Sequence, residues 1–109
     1  MKLTMRERLL ILNILPEQGG VATIRIAHEL RQSLAPNEEE WEKFDFRQGE
    51  DDPGMLFWRQ DIPQETEVEI GKKALKLIKE ALEKVDENEG VTIDLIPLFD
   101  KFVIDEDGD

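Results

Sequence analysis

The sequence predicts an α+β fold, with about five helices packed on a small two- or three-stranded antiparallel sheet. Three observations predict it. Apolar residues recur at helical spacing near both ends. Apolar and polar residues alternate with period two in the middle. A length of 109 residues leaves room for one core. Residues 1–104 are read as a single domain and residues 105–109 as an acidic tail. Two helices, a short helix and a hairpin follow one another in the N-terminal half, so that part is read as winged-helix-like.

Thr4-Met5-Arg6-Glu7 is a capping box, in which the Thr4 side chain and the Glu7 side chain each serve the other's backbone amide. The helix it opens carries Met5, Leu9, Leu12 and Leu15 on one face, with Leu10, Ile11 and Ile14 beside them. Pro16 stops it, and Gly19-Gly20 forms a turn. Thr23 is the expected cap of a second helix through Leu34, with Ile24, Ala27, Leu30 and Leu34 turned inward. Asn37-Glu38-Glu39-Glu40 is a second capping box, and its glutamates suit the positive end of a helix dipole. Trp41 and Phe44 are the expected inward anchors of that short helix.

Residues 44–47 alternate as a strand does, 49–54 form a turn-rich loop, and Met55-Leu56-Phe57-Trp58 is the return strand of a hairpin. Residues 66–70 alternate again and are read as a third strand ended by Gly71, a helix start being the other reading. From Lys72 to Val85 the stripe Ala74, Leu75, Ile78, Ala81, Leu82 and Val85 marks an amphipathic helix, followed by a loop over 86–90. Asp94 is the expected cap of a last helix. That places Pro97 in its first turn, where the missing N–H is harmless, and lets Ile96, Phe99, and Phe102 or Val103 dock it.

Composition excludes much chemistry. There is no cysteine, so disulfides, thiolate nucleophiles and zinc–thiolate or iron–sulfur sites are ruled out. There is one histidine, His28, and one serine, Ser33. His28-Glu29 matches the start of a zinc-protease helix, but Gln32 stands where the second histidine would be needed. The alternating acids at the C-terminal end lack the glycine and final acid of a calcium loop. No glycine-rich phosphate loop occurs. No catalytic residue, metal or cofactor is expected, and the chain is read as non-enzymatic. No run reaches the length of a membrane span. The basic start followed by residues 9–15 has the outline of a signal peptide, but Glu7 and Asn13 interrupt it and no small-x-small site follows. A cytoplasmic location is expected.

The net charge is -12, and it is unevenly placed. Residues 37–54 hold two bases against eight acids, and residues 86–109 one base against nine. Both stretches repel phosphate backbones and attract basic partners. In a winged-helix reading the recognition helix and wing tip are therefore acidic, and DNA binding would fall to Arg6, Arg8, Arg25 and Arg31. Five of seven aromatics lie within residues 41–58. A thin hairpin cannot cover both faces of Met55–Trp58, so part of that run is a candidate interface.

Met1-Lys2-Leu3-Thr4, the run Glu7–Gly19, Glu67-Val68-Glu69-Ile70-Gly71 with the helix after it, and Leu95–Phe102 resemble small proteins of tailed-phage and prophage genomes. The resemblance covers the two ends of the chain and is loose over 37–60. It implies a phage context and an accessory or regulatory role, and brings no catalytic residues. The reading that follows is a small acidic protein that binds another protein through Glu38, Glu39, Glu42, Asp51, Asp52 and Trp58. A nucleic-acid-handling protein is a natural target and a homodimer a second arrangement. A winged-helix-like DNA-binding regulator is the alternative.

Overall fold

The computed structural model describes residues 1–51 and 55–104. The acidic tail expected at 105–109 lies outside the described residues, as do Asp52, Pro53 and Gly54. The elements in chain order are β1 (Lys2–Thr4), α1 (Met5–Ile14), α2 (Val21–Leu34), α3 (Glu38–Phe44), β2 (Arg47–Gln48), β3 (Leu56–Phe57), β4 (Glu65–Glu67), α4 (Lys72–Glu87), a 3-10 turn (Ile93–Leu95), α5 (Ile96–Phe99) and a π-helical turn (Asp100–Ile104).

The fold is α+β, and its strands form two separate antiparallel pairs. β2 and β3 make the expected hairpin, with Arg47 opposite Phe57 and Gln48 opposite Leu56. The strand read at 66–70 is present only in part: β4 starts one residue earlier and ends at Glu67, and residues 68–70 are not strand. β4 pairs with β1 in the register Lys2–Glu67, Leu3–Thr66 and Thr4–Glu65, away from the hairpin. Three helices precede the hairpin in chain order, and the hairpin is two residue pairs long.

Capping boxes account for the starts of α1 and α3. Thr4 Oγ1 accepts from the Glu7 amide at 3.1 Å, and Glu7 Oε1 accepts from the Thr4 amide at 2.9 Å. Asn37 and Glu40 repeat the arrangement at 2.8 and 3.1 Å. Each such cap is worth about 1 kcal/mol. α2 begins two residues before its expected cap: Gly20 takes the N-cap position and Thr23 lies inside the helix. α3 runs through Phe44, so the strand expected over 44–47 is limited to Arg47–Gln48. Asp45, with φ 50° and ψ 61°, ends α3 in the left-handed conformation that Asp tolerates, and the chain reverses there. α4 extends to Glu87, two residues past the expected end.

The core joins the two ends of the chain. Leu3, Ile11, Ala27, Leu34, Ile78, Leu82 and Leu98 are fully buried, and Phe102 nearly so. Each large side chain among them contributes about 1.5–3 kcal/mol through burial. The C-terminal elements dock with Leu95, Leu98 and Phe102, whereas Ile96 is about half exposed and does not dock. Thr92, in place of Asp94, precedes the 3-10 turn. Asp94 instead pairs with Arg6 at 3.3 Å. Lys101 Nζ donates to Glu7 Oε1 at 2.8 Å and to the Lys2 carbonyl at 3.0 Å, tying the last turn to the first capping box.

One buried arginine sets where α3 sits. Arg8, on α1, is 2% exposed. Its Nε donates to the Leu34 carbonyl at 2.9 Å and its guanidinium to the Ala35 carbonyl at 3.2 Å, capping the C-terminal end of α2. The same group forms a two-point ion pair with Glu40, one arm of it 3.0 Å long. Three helices thus converge on one planar cation, whose fork fits a carboxylate.

Candidate functional site

α3 and the hairpin are joined through a cluster of aromatics. Phe44 is 2% exposed and is the buried residue of α3. Phe46, half-buried, is the hub of the rest. Trp41 packs edge-on against it at 4.7 Å between ring centroids, and Phe44 and Trp58 lie tilted against it, each at 5.9 Å. The Arg59 amide donates to the Phe44 carbonyl at 2.7 Å, closing the base of the hairpin.

Period-two geometry then divides β3 and its flanks between two faces. Leu56 and Trp58 turn toward α1. With Leu9, Leu12, Arg6 and Asp94 they line an open groove of about 550 Å³. Met55 and Phe57 turn the other way and are 51% and 52% exposed. Trp41 is 52% exposed, which corrects its expected role as an inward anchor. The physical reason is length: a helix of seven residues ended at Asp45 has one buried position, and Phe44 occupies it.

The expected contact residues fall on this unit. Glu38 and Glu39 stand exposed in the first turn of α3, Glu42 stands exposed one turn on, and Asp51 is exposed in the loop between β2 and β3. Asp52 lies outside the described residues. Trp58 is half-buried, and its indole N–H donates to Gln64 Oε1 at 2.9 Å. On this unit the exposed large apolar side chains are therefore Trp41, Met55 and Phe57; elsewhere Val21 and Ile93 are more exposed still. Sequence alternation over 55–58 carried the signal for Met55 and Phe57, but not for which face would be covered.

Charge is unbalanced on the same unit. Arg47 is held by Asp45 at 2.9 Å, and Lys43 lies 5.9 Å from the Phe44 ring centre. Among the described residues, Glu38, Glu39, Glu42, Glu50 and Asp51 have no ion-pair partner. Glu40 differs: the hydrogen bond from Arg8 holds its carboxyl below the usual range, against the opposing effect of burial. Just past β3, Arg59 lowers Asp61 in the same way.

The arginines available for DNA are largely engaged within the fold. Arg8 is buried, Arg6 pairs with Asp94, and Arg31 donates to the Leu15 and Pro16 carbonyls at 3.3 and 3.2 Å. Arg25 alone of the four has no such contact among the described residues. His28 is exposed on α2. Among the described residues, no group of three or more His, Cys, Asp or Glu side chains is placed to hold a metal ion. Nor is any helix long and apolar enough to cross a membrane.

Compared with known proteins, the chain matches no family model, no curated protein and no solved structure. The functional reading therefore rests on the residues themselves.

Proposed function

We propose that the chain is a small, acidic, non-enzymatic accessory or regulatory protein of phage type, acting in the cytoplasm by binding another protein. The contact is the unit formed by α3 and the hairpin. One observation carries the reading: Trp41, Met55 and Phe57 are each about half exposed on a unit that also bears five carboxylates with no ion-pair partner among the described residues. Large apolar side chains left in water on a charged surface mark an interaction site. A nucleic-acid-handling protein offers a suitable counter-surface, because carboxylates compete for a phosphate-binding face. Direct DNA binding is disfavoured, since Arg8 is buried, Arg31 is held by the Leu15 and Pro16 carbonyls, Arg6 is paired at the surface with Asp94, and α3 presents glutamates.

The test is capture from a bacterial lysate with the tagged full chain, washed at low and high salt, beside a Trp41→Ser/Phe57→Ser variant. A protein held by the wild type and lost by the variant supports the reading. Identical capture by both chains removes the contact from this unit, and retarded migration of duplex DNA at physiological salt replaces the reading with the DNA-binding one.

A further inference from the structure

A second contact surface belongs to the β1–β4 pair. We infer that the free edge of β4 takes up an extended segment of another protein as an added strand, one with Lys or Arg at every second position. The ladder fixes which backbone groups are free. The Val68 amide donates to the Met1 carbonyl at 2.8 Å, and the Met5 amide to the Gln64 carbonyl at 3.1 Å. With Leu3 opposite Thr66, the hydrogen-bonded pairs are therefore 1–68, 3–66 and 5–64. Glu65 and Glu67 fall between them, so their N–H and C=O groups point away from β1. Neither residue's backbone has a hydrogen-bond partner among the described residues. The matching edge of β1 is occupied: the Thr4 amide donates to Glu7 Oε1, and the Lys2 carbonyl accepts from Lys101 Nζ.

Space for a strand lies beside that edge. An open groove of about 400 Å³ is lined by residues 66–69 and by Ser33 and Ala35 at the end of α2. Thr66 and Val68 belong to one side of the segment and Glu67 and Glu69 to the other, so the groove runs along an edge rather than over a face. No β1 residue lines it, which places it on the side away from β1.

Charge names the occupant. Glu65, Glu67 and Glu69 are exposed, Thr66 is partly buried and Val68 is buried, so the three carboxylates share one side. Glu65 and Glu69 have no ion-pair partner among the described residues, and Glu67 is met by the terminal amine at 3.0 Å. Arg8, the cation lining the groove, is committed to Glu40. Lys72 and Lys73 share a second groove with Glu69, so the strongest demand for a cation falls at Glu65. Lys2 lies opposite Glu67 on β1, about 10 Å (two strand spacings) from an added strand. Every second side chain of that strand stands beside the acidic row, where Lys or Arg is matched and Asp or Glu is repelled. A second copy of the chain does not meet the demand. Joining two β4 edges about a two-fold sets Glu65 and Glu67 against the same residues of the other copy. Short length and like charge guard the edge against self-pairing and leave it open to a basic strand.

The experiment uses the full chain and three short synthetic peptides: lysine alternating with valine, the same residues with the lysines in one block, and glutamate alternating with valine. The alternating lysine peptide should bind about tenfold or more tightly than the other two, and less tightly as salt rises. Its binding should slow hydrogen exchange of the Glu65 and Glu67 amides by about tenfold or more, whereas the Thr66 and Val68 amides are protected already. Glu65→Pro removes an N–H that points outward and leaves the bonds to β1 in place. It should weaken binding by about tenfold, and Glu65→Gln by less, with a flatter salt dependence. Trp41→Ser/Phe57→Ser should bind the peptide as the wild type does, so this inference and the hairpin reading fail separately.

Equal binding of the three peptides, or binding of none, overturns the inference. So does binding that leaves exchange at Glu65 and Glu67 unchanged, or that is lost with Trp41→Ser/Phe57→Ser. A dimer of the free chain that Glu65→Pro dissociates would give the edge to a second copy instead. The exchange measurement is made on the wild type, so it decides the matter even where the proline variant fails to fold.

Discussion

Replacing Arg8 with Met removes the cation on which α1, α2 and α3 converge. The side chain is 3% exposed, and its partner Glu40 is 14% exposed. The substitution deletes two bonds to helix-end carbonyls and both arms of the ion pair. Breaking a buried pair by removing one partner costs about 3–5 kcal/mol. Glu40 can turn toward water, so the low end applies, about 3 kcal/mol. At roughly 4–5 °C per kcal/mol for a domain of this size, the melting temperature should fall by about 12–15 °C. Arg8→Lys keeps the charge but not the fork, and should lose about 1–2 kcal/mol. Adding Glu40→Met to Arg8→Met should cost less than the two single losses combined, because the stranded carboxylate is gone. Urea and thermal unfolding, followed by circular dichroism and tryptophan fluorescence, measure the wild type and the four variants, Glu40→Met among them. A loss below about 1 kcal/mol for Arg8→Met, the range of an exposed ion pair, would refute the claim that this cation organises the three helices.

Further outcomes follow from the same structure. Phe44→Ala should cost about 3–4 kcal/mol, whereas Trp41→Ser should cost under about 1 kcal/mol, because the first side chain is buried and the second is half in water; equal losses in urea unfolding would contradict the division of α3. Glu40 has a folded-state pKa below its unfolded value, so its stabilisation is present above the unfolded pKa and is lost as pH falls through the folded one. Stability measured from neutral pH down into that acidic window should therefore drop more steeply for the wild type than for Glu40→Gln, and parallel curves would count against the pair. Lys101→Met should destabilise by about 1 kcal/mol and speed hydrogen exchange in the last turns, because Glu7 and the Lys2 carbonyl lose their donor; unchanged exchange there would show that apolar packing alone holds the C-terminal segment. Asn37→Ala should cost about 1 kcal/mol through the lost cap, read by the same unfolding measurements.

What was legible in the sequence is what local physics decides. The two capping boxes involve residues three apart, and the stripe of α4 repeats every turn, so both appear in the sequence before any folding is considered. β4 showed through its alternation. Its partner β1 did not, because three residues at the start of the chain carry no period, and the pairing spans most of the sequence. Glu7 and Arg8 look like the wet side of α1. Their burial depends on Lys101, Leu34 and Glu40, which only the fold brings near. For the candidate site, the acids and the aromatic run were visible, but the exposed member was not. Trp58 and Phe57 are adjacent and chemically alike. The side of the hairpin that α1 covers decides which one stays in water.

The most direct test of the account is photo-crosslinking from the outer face of the hairpin. A photoreactive phenylalanine analogue is placed at Phe57 in one chain and at His28, exposed on α2, in another, and both are irradiated in bacterial cells. The account predicts a discrete heterologous protein adduct from position 57, absent from position 28 and lost when Glu38, Glu39 and Glu42 are changed to glutamine. No adduct from position 57, or the same adducts from both positions, would contradict it.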